Sequence, residues 1–218
     1  QVRGVNEPMS VRADALPAEG LPELAGKSYH IVTFGCQMNV SDSERIEALL
    51  SDAGMHRAPG IEAADLVLFN TCSVRKKAED RAYGNISRLK PARAARPGML
   101  IAVCGCMAQR EAQALRDKLP YIDLVVGTAQ LHRLPELVAT VWRTGEPQVA
   151  VALPRRRKLP VLEAEEDLLA GIARGNDPFK AWVPVMYGCD RFCAYCIVPV
   201  TRGAERSRHP AEIEAQVR

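Results

Sequence analysis

Asp65-Leu66-Val67-Leu68-Phe69-Asn70-Thr71-Cys72-Ser73-Val74-Arg75 decides how this chain folds. Residues 65–70 form a short apolar run, which predicts a buried strand, and a helical pattern takes over from about Val74 to Leu89. The same succession recurs along the chain. Strands are also expected at residues 29–34, 100–104 and 122–126, with a possible further one at residues 148–153. Strands alternating with helices predict an α/β fold, an open parallel sheet of Rossmann or flavodoxin type spanning residues 28–153.

The helices carry their own punctuation. Ser41 followed by Glu44 reads as a capping box opening the first helix, whose apolar face is Ile46, Leu49 and Leu50 and which Gly54 ends. Further helices are expected at residues 74–89, 108–119 and 131–143, the last closed by Gly145. Residues 1–27, rich in Pro, Glu and Gly without apolar periodicity, read as a flexible arm, with order beginning at Ser28. Residues 154–181 read as a linker, because Arg155-Arg156-Arg157-Lys158 is followed by the acidic Glu163, Glu165, Glu166 and Asp167. A second unit then begins at residues 182–218. A strand at residues 182–186 leads into a cysteine loop, and His209-Pro210 opens a helix. This looks like the first βα part of a TIM-like barrel, which is expected to be incomplete because a whole one takes about 250 residues.

With 218 residues, 47% of them hydrophobic, the chain can bury one good core and start another. No stretch approaches the eighteen or so apolar residues of a membrane span, and the opening segment lacks the apolar centre of a secretion signal. A cytoplasmic protein without a membrane partner is therefore expected. Seven cysteines are an awkward count for a disulfide framework, and a reducing compartment keeps them as thiols available to metal. The net charge of +3 is small but unevenly spread. Arg75, Lys76, Lys77, Arg81, Arg88, Lys90, Arg93 and Arg96 face only Glu79 and Asp80 in the same segment. Such a stripe suits a phosphate backbone, or is simply a solvated helix face.

Cys189, Cys193 and Cys196 form a C-x3-C-x2-C run. Three thiolates from one tight loop can hold three irons of a cubane cluster and leave the fourth open to chemistry. The alternative is structural zinc, which needs four ligands, and His209 is the nearby candidate for the fourth. A second triad emerges from the strand map. Cys36, Cys72 and Cys106 each fall within two residues of the carboxyl end of an expected strand, where ligands of open α/β sheets bind. Each also precedes a helix, whose amino terminus favours an anion by about 0.3–1 kcal/mol. Gly35 and Gly105 place Cys36 and Cys106 in loops, whereas Cys104 ends an apolar run and reads as a small buried hydrophobe. Isolated core cysteines remain the competing explanation for this triad.

The strings Gly35-Cys36-Gln37-Met38-Asn39, Asn70-Thr71-Cys72-Ser73-Val74-Arg75, Gly105-Cys106-Met107-Ala108-Gln109 and Tyr187-Gly188-Cys189 through Cys196-Ile197-Val198-Pro199 resemble the radical S-adenosylmethionine methylthiotransferases. Thr201-Arg202-Gly203-Ala204-Glu205-Arg206-Ser207-Arg208 matches as well. The resemblance covers nearly all of residues 28–218. It implies two 4Fe-4S clusters, an auxiliary one on Cys36, Cys72 and Cys106 that supplies or carries sulfur, and a radical-generating one on Cys189, Cys193 and Cys196. It also implies S-adenosylmethionine as cofactor, with Tyr195 in the aromatic slot near its adenine. Gln37-Met38-Asn39 and Ser73-Val74-Arg75 look like the tRNA-modifying branch of the family, which adds a methylthio group to carbon two of N6-isopentenyladenosine beside the anticodon. Implied partners are the tRNA anticodon loop and an electron donor such as flavodoxin or ferredoxin.

The hydrogen on that carbon is not acidic, so acid–base catalysis has no easy route and radical chemistry is required. The adenine must be splayed from its loop, as single-stranded bases readily are. Rival readings are a methylthiotransferase for a ribosomal-protein aspartate or for threonylcarbamoyl-adenosine tRNA, a two-cluster electron-transfer protein, and a zinc-dependent nucleic-acid-binding module. The four histidines show no ligand spacing, and Arg202, Glu205 and Arg208 could contact cofactor, RNA or each other.

Overall fold

The computed structural model describes residues 21–153 and 179–217. The charged runs of the expected linker, residues 155–167, lie outside them, as do residues 1–20. Six parallel strands form one sheet: β1 (Ser28–Thr33), β2 (His56–Arg57), β3 (Leu66–Thr71), β4 (Leu100–Gly105), β5 (Leu124–Val126) and β6 (Gln148–Ala150). Their order is β2-β1-β3-β4-β5-β6. This is the flavodoxin-like arrangement extended by one strand, and it confirms the expected fold class. The short edge strand β2 carries no apolar run and was invisible to a hydrophobicity reading.

The two-residue period of the strands explains why their sequences look uniformly apolar. Leu66, Leu68, Leu100, Ala102, Leu124 and Val126 point to one face, against Ile46, Leu50, Leu134 and Val138. Val67, Phe69, Ile101, Val103 and Val125 point to the other, against Ala82, Ile86, Met107 and Leu115. Both faces are covered by helices, so alternation between polar and apolar residues disappears. Truncating a fully buried side chain such as Phe69 to Ala would cost about 3–5 kcal/mol.

The helices depart from expectation at their ends. Helix α1 (Gln37–Asp52) begins ahead of the Ser41 capping box, because Asn39 Oδ1 accepts the Cys36 backbone N–H at 3.3 Å and starts the helix there. The helix expected at residues 74–89 becomes α2 (Lys76–Arg88) and then α3 (Lys90–Ala95), which has proline in its first turn. The one expected at residues 108–119 divides into α4 (Cys106–Glu111) and α5 (Gln113–Lys118), interrupted by Ala112 at φ 44°. Helix α6 (Leu134–Thr144) follows a 3-10 turn at Thr128–Arg133 and ends, as expected, at a left-handed Gly145. Order also begins before Ser28. Leu24 is fully buried in the core and Leu21 packs against it, so residues 21–27, expected within the arm, pack with the sheet domain instead.

The second unit is short. The strand expected at residues 182–186 reduces to β7 (Met186–Tyr187), paired antiparallel with β8 (Arg206–Ser207). Between them lie the cysteine loop and α7 (Val198–Arg202), and α8 (Pro210–Val217) follows. This unit is tied to the sheet domain: Thr128 Oγ1 donates to Thr201 O at 2.5 Å, and Arg202 pairs with Asp42 of α1 at 2.6 Å.

Candidate functional site

Strand order reverses between β1 and β3, and the crevice beyond their carboxyl ends is where such a sheet binds ligands. Cys36 follows β1, Cys72 follows β3 and Cys106 follows β4, which are three adjacent strands. Two glycines allow these segments to close on one another, although Gly105 ends β4 and Cys106 opens α4 directly rather than lying in a loop as expected. Gly35 has φ +134°, and a Cβ there would meet Cys72 Cβ at 2.6 Å. Gly105 has φ +90°, and a Cβ there would meet Thr71 O at 2.5 Å and Asn70 Oδ1 at 2.6 Å. Any other residue would force the cysteine-bearing loops apart.

Buried hydrogen bonds lace the three loops together. Asn39 Nδ2 donates to Asn70 Oδ1 at 3.0 Å and to Thr71 O at 3.2 Å. Asn70 Nδ2 donates in return to Asn39 O at 2.8 Å and to Ser43 Oγ at 2.9 Å. Thr71 Oγ1 donates to Cys104 O at 2.6 Å, which ties β3 to the residue before Gly105. Asn39 and Asn70 are both fully buried, and a buried amide left without partners would cost about 1–3 kcal/mol.

Cys72 and Cys106 are buried and Cys36 is half-buried. Burial pushes the Cys106 thiol above its ordinary range, while the charge of Arg202 opposes that rise. Cys104 is fully buried with its thiol pushed well up by desolvation, matching its reading as a core residue. Burial alone would lower the Arg202 pKa, but Asp42 and then Cys106 outweigh it and hold the guanidinium above its ordinary value.

Among the described residues, no three His, Cys, Asp or Glu side chains stand close enough to hold a single metal ion. A cubane differs in this respect, because each thiolate binds a different iron. Thiols converging at one strand edge, with Gly35 and Gly105 permitting the close approach, suit such a cluster in donor chemistry.

The second triad lies on a more open loop. Cys193 is exposed, and Cys189 and Cys196 are half-buried. Backbone bonds shape the loop: Cys189 N to Gly203 O at 3.1 Å, Cys193 N to Arg191 O at 2.8 Å and Cys196 N to Cys193 O at 3.0 Å. Gly188, at φ +72°, lies against the Ala204 carbonyl where a side chain would collide. Tyr195 is 92% exposed, so its ring is not part of the packed core. His209, the zinc alternative's fourth ligand, accepts the Ala211 N–H on Nδ1 at 3.2 Å and caps α8.

The basic stripe divides into two groups. Arg93 pairs with Asp123 at 2.9 Å, and Arg96 donates to the carbonyls of Ile61 and Ala64, so these two fasten α3 to the sheet. Lys76 pairs with Glu79 and Asp80. Arg75, Lys77, Arg81, Arg88 and Lys90 are exposed. Among the residues left open by sequence, Arg202 reaches Asp42, Arg208 donates to Pro184 O at 2.7 Å and Gln216 Oε1 at 2.6 Å, and Glu205 is exposed. Asn39, Asp42, Asn70 and Thr71 went unassigned in the sequence reading, although Asn39 and Asn70 stand inside the cysteine motifs. No described helix is long and apolar enough to cross a membrane.

Residues 28–127 match the model of uncharacterized protein family UPF0004. The chain is 44% identical over 195 residues to a tRNA-2-methylthio-N(6)-dimethylallyladenosine synthase of Parafrankia sp., covering 89% of this chain and 37% of the relative. Proteins of the same name match from Symbiobacterium thermophilum, 47% identical over 86% of this chain and 39% of the relative, and from Halalkalibacterium halodurans, 38% identical over 99% and 39%. The chain thus spans less than two-fifths of the length of these curated relatives.

Proposed function

We propose that the chain belongs to the methylthiotransferases and is the cluster-bearing amino-terminal part of an enzyme that adds a methylthio group to carbon two of N6-dimethylallyladenosine in tRNA, a reading supported by the family match and the similar tRNA-2-methylthio-N(6)-dimethylallyladenosine synthases. Its organisation under this reading is a sheet domain over residues 28–153, with residues 21–27 packed against it, joined through residues 154–181 to the start of a radical domain at residue 182. The observation that carries the proposal is the convergence of Cys36, Cys72 and Cys106 at the carboxyl edge of three adjacent strands.

Cys36, Cys72 and Cys106 would hold an auxiliary 4Fe-4S cluster, and Cys189, Cys193 and Cys196 a second one. When bound, these clusters and S-adenosylmethionine supply a transferable sulfur and the one-electron chemistry that an unactivated ring carbon requires. The chain's own residues do the positioning. Asn39, Asn70 and Thr71 fix the three loops relative to one another, Gly35 and Gly105 permit their close approach, and Arg202 places a cation beside Cys106. Tyr195, exposed beside Cys196, is available to stack on an adenine. Arg75, Lys77, Arg81, Arg88 and Lys90 offer a phosphate-binding face on α2 and the start of α3. An electron donor such as flavodoxin or ferredoxin, and a cytoplasmic setting, complete the reading.

The test is a mass measurement. The full-length protein, anaerobically reconstituted and supplied with S-adenosylmethionine and reductant, is expected to add one methylthio group to dimethylallylated tRNA. It should leave unmodified tRNA, threonylcarbamoyl-adenosine tRNA and ribosomal protein unchanged. Modification of one of those instead would overturn the substrate assignment.

A further inference from the structure

Arg202 ends α7, downstream of Cys196 in the radical loop, yet its guanidinium is buried at 6% exposure inside the sheet domain. It donates to Asp42 Oδ2 at 2.6 Å and Oδ1 at 3.5 Å, and its helix packs against α4, which Cys106 opens, so that the charge of Arg202 acts on that thiol. Asp42, likewise 6% exposed, lies on α1, the helix that Cys36 opens. One side chain therefore joins three segments that each begin or follow a cluster cysteine. Thr201, fully buried beside it, donates its hydroxyl to Ile197 O at 3.2 Å and accepts the Thr128 hydroxyl at its own carbonyl.

A buried ion pair is seldom worth more to stability than apolar side chains of the same size. Its placement against one cysteine of the triad points to an electrostatic role. We propose that the Asp42–Arg202 pair sets the reduction potential of the auxiliary cluster, the arginine as the cation that favours the reduced form and the aspartate as its partial offset. This inference rests on the reading that Cys36, Cys72 and Cys106 hold a cluster. Reduction adds a negative charge at the sulfur cage, which a neighbouring cation stabilises and a neighbouring carboxylate destabilises.

The two charges therefore make opposite predictions, which a packing role does not. The full-length protein carrying Cys189→Ala, Cys193→Ala and Cys196→Ala isolates the auxiliary site. Its iron and sulfide content and its midpoint potential, from a titration followed by electron paramagnetic resonance, are compared with those of R202M, R202K, D42N and R202M/D42N in the same background. R202M should shift the midpoint to more negative values and D42N to more positive ones. R202K, which keeps the charge, should lie between R202M and the parent, and the double variant should return toward the parent. If R202M takes up no iron, D42N decides: a midpoint equal to the parent's overturns the proposal. Shifts of R202M and D42N in the same direction overturn it as well. A parent background that binds no iron at all would instead remove the cluster reading on which the inference stands.

Discussion

Asn39 and Asn70 exchange hydrogen bonds across the crevice between α1 and β3, Asn39 Nδ2 to Asn70 Oδ1 at 3.0 Å and Asn70 Nδ2 to the Asn39 carbonyl at 2.8 Å. The same Asn39 caps the helix behind Cys36, while Asn70 lies two positions before Cys72. A pair of amides thereby sets the spacing of two cysteines that are far apart in sequence. Replacing Asn70 by Ala removes one acceptor of the Asn39 amide, which keeps Thr71 O, and takes the Asn70 amide donor from Asn39 O and Ser43 Oγ in a buried site. The expected loss is about 2 kcal/mol, measured by urea unfolding of the apo protein, or about 4–8 °C in Tm. An unchanged Tm would show that the pair does not organise the loops.

Gly105→Ala should be more damaging than its size suggests. The added methyl meets the Thr71 carbonyl at 2.5 Å, in a conformation with φ +90° that side chains resist. Gly98→Ala is the control, because a Cβ there meets nothing within 4 Å. Gly105→Ala is expected to lower stability by about 2–4 kcal/mol and to reduce iron uptake, whereas Gly98→Ala leaves both within error. Equal behaviour of the two variants would contradict the close-packed loop.

Acid stability provides a third check. Burial pushes the Asp65 carboxyl upward, but hydrogen bonds from Ser28 N at 2.8 Å and Ser28 Oγ at 2.9 Å outweigh it and hold the pKa below the ordinary 3.8. A carboxylate with a depressed folded-state pKa stabilises the fold above its unfolded value, and that contribution disappears as pH falls through the folded value. Asp65→Asn should therefore lower stability by about 1–2 kcal/mol near neutral pH and flatten the decline below about pH 4. Parallel curves for the two proteins in urea titrations from about pH 3 to about pH 7 would contradict this assignment.

The exposed cations separate binding from folding. Arg81→Glu, Arg88→Glu and Lys90→Glu together should weaken tRNA binding by the full-length protein at least tenfold at low salt, with a shallower salt dependence and an unchanged Tm. Arg93→Ala should do the reverse, lowering Tm through loss of its Asp123 partner while leaving the salt dependence intact. Unaltered affinity in the triple variant would remove α2 from the RNA-binding surface.

Much of this arrangement is legible in the sequence because it depends on local signals. Strands β3 and β4 announce themselves through apolar runs that are buried on both faces, and the position of Cys36, Cys72 and Cys106 just beyond strand ends follows from that map. Gly145 ends α6 where expected. What escapes a linear reading is set by tertiary contact. Asp42 and Arg202 lie 160 positions apart, and nothing near either residue signals the other. Ala112 takes φ 44° inside a sequence that is helical by propensity. Arg93 and Arg96 count as surface charge in a composition and become sheet anchors in the fold. The edge strand β2 has no apolar pattern to find.

On the proposed reading, two triads of cysteines each carry a cluster of their own. The most direct measurement is the iron and sulfide content of three full-length proteins after oxygen-free reconstitution: the parent, a variant with Cys36, Cys72 and Cys106 changed to Ala, and one with Cys189, Cys193 and Cys196 changed to Ala. The expected result is about eight irons in the parent and about four in each variant. Zinc near stoichiometry in the parent, or no iron in the variant that keeps Cys36, Cys72 and Cys106, would contradict it.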